Sequence, residues 1–111
     1  MPAKRKVAVL GDMLEIGTYA MEAHERVGRL AAKVCDVLIT VGPRGKFIAE
    51  AARAGGLRKK DIMSFDTADD AIETVDQNLR KGDLVLVKAS RAIGLDKIVE
   101  AITMREIGPI V

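Results

Sequence analysis

The sequence is poor in several residue types, and each shortage narrows what the protein can be. Among its 111 residues there is one cysteine, Cys35, which excludes an internal disulfide and is typical of a reducing compartment. There is also one histidine, His24, so a histidine cluster is excluded and no metal site is predicted. Cys35 lies at the end of an apolar helical pattern, which predicts a buried, structural thiol. His24 lies one residue from the apolar face, which predicts a partly buried, structural histidine. Neither a signal peptide nor an apolar run of membrane length is present, so the sequence predicts a cytoplasmic protein without a membrane partner.

Aromatic residues and net charge are low as well. Aromatics make up 3% of the sequence, tryptophan is absent, and 18 basic against 16 acidic residues leave a net charge of +2. Proteins that bind nucleic acid usually carry a basic stripe with interleaved aromatics, so no nucleic-acid partner is predicted. The hydrophobic share of 49% supports a real core. The length matches one compact domain, which we predict over residues 1–111.

Four short apolar runs alternate with segments of helical periodicity. The runs at 7–10, 37–41, 62–65 and 84–87 are typical of buried parallel strands. Helices are predicted at about 18–34 and 46–54, then after an N-cap at Thr67, and finally over a segment with the apolar positions Leu95, Ile98, Val99 and Ile102. This alternation predicts an α/β fold, a three-layer Rossmann-like domain with a mostly parallel sheet of at least four strands between helices. The apolar tail at 106–111 could add an edge strand, pack across a helix or fray.

The predicted topology brings two loops together. Right-handed crossovers and a Rossmann-type half predict the strand order 3-2-1-4, which makes strands one and four neighbours. The loop that begins at Gly11 and Asp12 would then face the loop at 88–91 across one crevice. That crevice lies at the carboxyl ends of the strands, where open α/β sheets bind their ligands.

The strongest candidate site residues are in the second of these loops. Lys88 directly continues an apolar strand, where a charge is costly to bury. Ser90 precedes a predicted helix, so its hydroxyl could cap that helix or help its N–H groups hold an anion. Arg91 can bind a carboxylate or a phosphate through two parallel hydrogen bonds. Across the crevice, Asp12 and Glu15 could contact a metal or a ribose; alternatively, Asp12 caps a turn or pairs with Lys88.

Two glycine-containing segments resemble nucleotide-binding loops only at first sight. At 41–46 the spacing between Gly42 and Gly45 is too short for a phosphate loop, and Phe47 stands where Ser or Thr is required. The first loop is no dinucleotide fingerprint, because Gly11 is followed by a single further glycine at position 17. The sequence therefore predicts no complete ATPase or hydride-transfer site.

Several of these segments, taken together, carry a family resemblance. Residues 7–17 include Gly-Asp-Met-x-Glu-x-Gly, residues 88–91 read Lys-x-Ser-Arg, and between them stand His24, Val27-Gly28 and the run at 38–42. The combination, continued by Leu-Asp-Lys-Ile-Val-Glu at 95–100, resembles the C-terminal domain of the Mur ligases. The resemblance covers about residues 5–103 and departs at Ala89, where the family usually has Gly.

The resemblance implies a function. Mur ligases have an N-terminal domain for the UDP-sugar, a central ATPase domain and a C-terminal Rossmann-like domain. The members of the family that this sequence resembles join D-alanyl-D-alanine to UDP-N-acetylmuramoyl-tripeptide in peptidoglycan synthesis. ATP and magnesium activate the peptide carboxylate as an acyl phosphate. By resemblance, Gly11 and Asp12 face the nucleotide, while Lys88, Ser90 and Arg91 lie beside the incoming dipeptide. The chain lacks the first two domains, so alone it is expected to catalyse nothing and to bind no ATP tightly.

Two other classes of protein fit parts of the sequence. A receiver-like signalling domain would use Asp12, a phosphoacceptor at Asp66 and Lys88, although the usual acidic pair and a fifth strand are missing. A stand-alone nucleotide-binding or protein-interaction module is the third possibility.

Overall fold

A computed structural model describes residues 5–11, 20–80 and 83–88 of the chain. Four strands alternate with three helices in these ranges: β1 (Lys6–Gly11), α1 (Ala20–Val34), β2 (Val37–Val41), α2 (Gly45–Ala54), β3 (Ile62–Phe65), α3 (Ala68–Asn78) and β4 (Leu84–Lys88). A 3-10 turn at Lys59–Asp61, which the sequence did not predict, leads into β3. The predicted last helix and the tail at 106–111 lie outside the described residues.

The four strands form one parallel sheet. Their order is β3-β2-β1-β4, which confirms the predicted order and the α/β architecture. The central strand β1 pairs with β2 on one side, where Gly11 lies opposite Val41, and with β4 on the other side, where Leu10 lies opposite Lys88. Strands one and four are therefore neighbours, as the shared-crevice argument requires.

Successive side chains of each strand enter two separate cores. Ala8, Leu10 and Leu38 pack with Ile48 and Ala52 on the face of α1 and α2. The alternate strand positions pack against α3 on the opposite face; this second core consists of Val7, Val9, Val37, Ile39, Val41, Val85, Ala68, Ala71, Val75 and Leu79. Because helices cover both faces of the sheet, its strands are continuous apolar runs rather than alternating ones.

Local signals explain where two of the helices begin and end. Thr67 Oγ1 accepts a hydrogen bond of 3.2 Å from the backbone N–H of Asp70, which confirms the predicted N-cap of α3. The helix α2 ends at Ala54 with Gly55 as its C-cap, and Gly56 follows with φ at 111°, a conformation that a Cβ would strain.

At the amino edge of the sheet, an ion pair joins residues 78 positions apart. The Arg5 guanidinium donates to both carboxylate oxygens of Asp83, at 3.2 and 2.8 Å, and also donates to the backbone carbonyl of Asn78. The backbone N–H of Arg80 donates to Asp83 Oδ2 at 2.8 Å. Burial by itself raises the pKa of Asp83, but the hydrogen bonds and positive charges of Arg5 and Arg80 outweigh it, so the pKa lies below its usual value. These contacts tie the start of β1 to the turn that enters β4.

Part of the apolar face of α1 is exposed rather than buried in the core. Leu30 and Val34 occupy apolar positions of the α1 pattern, yet they are 59% and 50% exposed. They border an apolar groove of about 560 Å³ between α1 and the β1–β4 pair. We call this feature the α1 groove; its lining residues are Lys6, Val7, Ala8, Leu10, Gly11, Val27, Leu30, Ala31, Val34, Cys35, Ile48, Leu84, Leu86 and Lys88.

Candidate functional site

The carboxyl edge of the sheet brings the ends of β1 and β4 side by side. Lys88 is the last residue of β4 and lies opposite Leu10, so it is one position from Gly11 in the neighbouring strand. Adjacent strands are about 4.8 Å apart, so both loops leave the sheet from one small area. Lys88 is exposed, whereas Gly11 is buried. The Lys88 ammonium is therefore available to a ligand, and its position at the end of the strand avoids the cost of burying a charge.

Of the predicted site residues, the structure describes only Gly11 and Lys88. It brings these two together, as predicted. Asp12, Glu15, Ser90 and Arg91 lie outside the described residues, so their roles and the alternative Lys88–Asp12 ion pair stay predictions.

The glycine-containing segment after β2 is a strand-to-helix turn. Gly42 adopts φ at 101°, and its backbone N–H donates to the carbonyl of Phe65 at 2.8 Å, which ties the turn to the end of β3. At the start of α2, a Cβ on Gly45 would come within 3.2 Å of Thr40 Cβ. Gly42 thus supplies the left-handed backbone of the turn and Gly45 allows the close approach to Thr40, which agrees with the prediction of a strand-to-helix turn here.

Two polar contacts at the carboxyl edge of the sheet were not predicted from the sequence. Thr40 is fully buried, and its hydroxyl donates to Ser64 Oγ at 2.7 Å across the β2–β3 ladder. Lys46 Nζ lies 3.5 Å from Asp66 Oδ1, with both side chains more than half exposed. The hydroxyl pair satisfies a buried polar group, and the ion pair is of the exposed kind that contributes little stability. The sequence signal for this contact is a hydroxyl residue on each of two strands, at positions that pair in the sheet. That signal can be recognised only when the register between the two strands is known.

The two rare residues occupy structural positions, as predicted. His24 was predicted to be partly buried, and in α1 it is fully buried. Cys35 is also buried, and its Sγ donates to the carbonyl of Ala31 at 2.9 Å. Burial, together with the negative charge of Asp36, raises the pKa of the Cys35 thiol to about 11, so the thiol is protonated and unreactive near neutral pH.

The observed strand order contradicts the receiver-like alternative. Asp66 follows β3 and Lys88 ends β4, and these strands are the two outer members of the order β3-β2-β1-β4. Three strand spacings therefore separate them, roughly 14 Å, which is too far for an aspartate and a lysine that share one phosphoryl group. Receiver-like sheets instead follow the order 2-1-3-4-5, in which the third strand lies next to the first.

The described residues form neither a metal site nor a membrane-spanning helix. In the ranges that the structure describes, no three or more His, Cys, Asp or Glu side chains group together as a metal site would require. Nor is any of the helices described there both long enough and apolar enough to cross a membrane.

Comparison with known proteins decides the family. The model of the family described as "Mur ligase, glutamate ligase domain" matches residues 1–91. The chain belongs to the Mur ligase family. This confirms the family resemblance that the sequence carries.

Curated Mur ligases and solved structures agree with this assignment. The chain is 37% identical to the UDP-N-acetylmuramoyl-tripeptide–D-alanyl-D-alanine ligase of Bacillus subtilis, over 86% of this chain and 21% of that protein. It is 39% identical to the ligase of the same name from Treponema pallidum, with the same coverage. The crystal structure of the MurF ligase of Thermotoga maritima, in complex with ADP, superposes with a TM-score of 0.68 and 28% identity, over 93% of this chain and 22% of that one. The chain thus spans about a fifth of the length of the Mur ligases that it matches.

Proposed function

We propose that this chain is the C-terminal, substrate-positioning domain of an ATP-dependent Mur ligase that joins D-alanyl-D-alanine to UDP-N-acetylmuramoyl-tripeptide. The curated relatives carry that activity in their names and match most of the chain. The structural observation that carries the proposal is the pairing of β1 with β4, which sets Gly11 beside Lys88 at one edge. The ADP-bound relative supports an ATP-dependent reaction. Magnesium as the metal and the cytoplasm as the location belong to the same proposal.

The proposed roles divide the edge between two substrates. Gly11 and Asp12 would face the nucleotide that the central domain holds, and Lys88, Ser90 and Arg91 would receive the carboxylate of the incoming dipeptide. An exposed ammonium, a hydroxyl and a guanidinium together suit a carboxylate. Such a domain orients the attacking amine and keeps water from the activated carboxyl group, and neither task needs a complete catalytic set within the domain.

The chain needs the other domains for the reaction itself. The sequence contains no phosphate loop, because the glycine spacing at 42–45 is too short and Phe47 stands where Ser or Thr is required. ATP would therefore bind chiefly to the central domain and would supply the activating phosphoryl group there. The proposed partners of this domain are the N-terminal and central domains of the same ligase, D-alanyl-D-alanine and UDP-N-acetylmuramoyl-tripeptide.

The test compares two substrates in the full-length ligase. Lys88→Met and Arg91→Ala should each raise the apparent KM for D-alanyl-D-alanine on the order of tenfold to a hundredfold, since each removes a charge-assisted hydrogen bond of about 1.5–3 kcal/mol. The KM for ATP should change much less. Lys60→Ala is the matched control, because Lys60 is exposed in the turn that precedes β3, at the opposite edge of the sheet.

Two results would contradict the proposal. One is full-length protein that does not ligate D-alanyl-D-alanine to the tripeptide at all. The other is an unchanged KM for the dipeptide in both variants, with melting temperatures equal to that of the control. That second result would leave Lys88 and Arg91 as surface residues and would move the dipeptide site elsewhere.

A further inference from the structure

The outer strand β3 has one hydrogen-bonding edge that no other described strand uses. On its inner side β3 pairs with β2, and within the described ranges no strand pairs with it on its outer side. Such an edge presents backbone N–H and C=O groups to any strand that can reach it. Edge strands are commonly protected by a proline or an inward-pointing charge, yet the β3 sequence Ile-Met-Ser-Phe contains neither. The outer edge of β3 is therefore suited to pairing with a further strand.

Apolar side chains beside this edge are only partly buried. They are Ile62, Met63 and Phe65 of β3, together with Ile72 of α3, which packs against the same core as Met63 and Phe65. The neighbouring strand β2, in contrast, is buried throughout. A strand added at the outer edge would cover more of this apolar surface, and the burial of apolar area favours association.

The charges around β3 are sorted by sign along the strand. Residues 44–60, which lead towards it, contain six basic residues and one acidic residue, whereas residues 61–78 contain six acidic residues and no basic one. Lys59 and Lys60 are exposed at the amino end of the strand, and Asp66 is exposed at its carboxyl end. Among the described residues, no ion pair joins Lys59 or Lys60 to an acidic side chain. The strand thus runs from a basic end to an acidic end.

A second copy of the same edge matches this charge pattern. When two identical edges pair antiparallel about a two-fold axis perpendicular to the sheet, the basic end of each strand lies beside the acidic end of the other. Opposite charges on neighbouring strands attract each other. The acidic residues nearest the axis already have cationic neighbours, since Arg58 Nε lies 3.3 Å from Asp61 Oδ2 and Lys46 Nζ lies 3.5 Å from Asp66 Oδ1. Repulsion between the two acidic ends is therefore small.

We propose that β3 is a self-association edge, at which two copies of the chain pair antiparallel and join their four-stranded sheets into one. Isologous two-fold contacts of this kind are the commonest in homo-oligomers. The contact lies at the end of the sheet opposite β4, so it does not involve the edge at which Gly11 lies beside Lys88. The inference goes beyond the proposed function and does not depend on it, because association is measured without substrate.

The first test reverses the charge at each end of the strand separately. One variant carries Lys59→Glu and Lys60→Glu; the other carries Asp66→Lys and Asp70→Lys, the last at an exposed position in the first turn of α3. In sedimentation experiments the parent chain should dimerise with a dissociation constant between about 10 µM and 1 mM, since one short strand makes a small contact. Each variant alone should raise that constant on the order of tenfold or more, because it brings like charges together. An equimolar mixture of the two variants should dimerise as the parent does, because each reversed end then meets an opposite charge.

The matched control reverses two charges away from the edge. Arg26→Glu with Lys33→Glu gives the same change in net charge at exposed positions of α1, and this variant should dimerise like the parent. Circular dichroism melts of all variants confirm that they are folded. Recovery of the dimer in the mixture separates a direct contact from a loss of stability, because mixing cannot restore a misfolded chain.

The second test measures the geometry of the pairing. Ser64 is exposed near the middle of β3, so antiparallel pairing places it within about one residue of the two-fold axis. Opposite residues of an antiparallel pair have Cα atoms about 4.5–5.5 Å apart, a distance that a disulfide can bridge. Ser64→Cys in a Cys35→Ala background should therefore form a covalent dimer under mild oxidation, on the order of tenfold faster than Lys33→Cys in the same background.

The other outcomes overturn the proposal. A chain that stays monomeric up to about 1 mM does not use the edge in this way. A dimer that both charge-reversed variants retain, or that their mixture fails to restore, forms through a different surface. Equal crosslinking at residues 64 and 33 would exclude antiparallel pairing of β3. If a charge-reversed variant did not fold, the cysteine experiment would decide by itself, because it changes no charge at either end of the strand.

Discussion

Replacing Gly28 with alanine should destabilise the domain, although alanine is the better helix former. Gly28 is buried in α1 at the contact with α2. A Cβ built there would lie 2.3 Å from the carbonyl oxygen of Ile48 and 2.8 Å from Ala51 Cβ, whereas ordinary contacts begin at 3.4 Å. The shortest contact is to the backbone of α2, so no side-chain rotation can relieve it. The two helices must move apart by about 1 Å, which disturbs the closely packed interface between them.

The magnitude follows from two opposing terms. Overpacking a well-packed interior costs about 1–3 kcal/mol, and a clash with rigid backbone belongs at or above the upper end of that range. Helix propensity returns about 1 kcal/mol when glycine becomes alanine. The net loss in free energy of unfolding should therefore be about 2 kcal/mol. For a domain of this size that corresponds to a fall in melting temperature of roughly 8–15 °C.

The assay is urea and thermal unfolding followed by circular dichroism. Lys33→Ala is the matched control, because it places alanine at an exposed position of the same helix and should change stability by less than about 0.5 kcal/mol. If Gly28→Ala proved as stable as the parent or more so, the gain in helix propensity would outweigh the cost of the steric clash. The close approach of α1 and α2 at Gly28 would then be refuted.

Three further predictions concern the amino edge, the buried thiol and ATP. Asp83→Asn should lower stability by about 1.5–3 kcal/mol at neutral pH. The parent gains stability from the lowered pKa of Asp83 only above the unfolded pKa and loses it as pH falls through the folded value, so urea midpoints measured down to pH 2.5 should converge for the two proteins. Because the pKa of Cys35 is raised from 9.0 to about 11, the parent should lose stability as pH rises from 9 to 11, and Cys35→Ala should not show that slope in urea titrations. Calorimetry on the 111-residue chain should detect no micromolar ATP binding, and such binding would contradict the absence of a phosphate loop.

Much of the fold could be read from local patterns, because those patterns reflect local physics. The four apolar runs predicted the four strands, since a strand covered on both faces must be apolar throughout. Thr67 predicted the start of α3 because its hydroxyl reaches a backbone N–H three residues on. The predicted strand order was confirmed as well. Right-handed crossovers favoured it among the few ways to connect four strand–helix repeats, but the sequence alone left the order open.

The candidate site was predictable only in part. The position of Lys88 directly after an apolar strand marked it as a residue at the sheet edge, and the structure places it one position from Gly11. Its adjacency to β1 depended on the strand order and became a fact only with the sheet. The roles of Asp12, Ser90 and Arg91 still rest on the resemblance to Mur ligases.

Other features came from the tertiary structure alone, because they depend on residues that are distant in sequence. Arg5 and Asp83 are 78 positions apart, and the sequence around each residue does not indicate that they pair. Gly28 reads as a weak point in a helix until α2 is seen to pass within reach of its missing Cβ. Helical periodicity placed Leu30 and Val34 on the apolar side of α1, but periodicity cannot say whether a neighbour covers that side. Only the packed sheet shows that the apolar side of α1 extends beyond the part that β1, β4 and α2 bury.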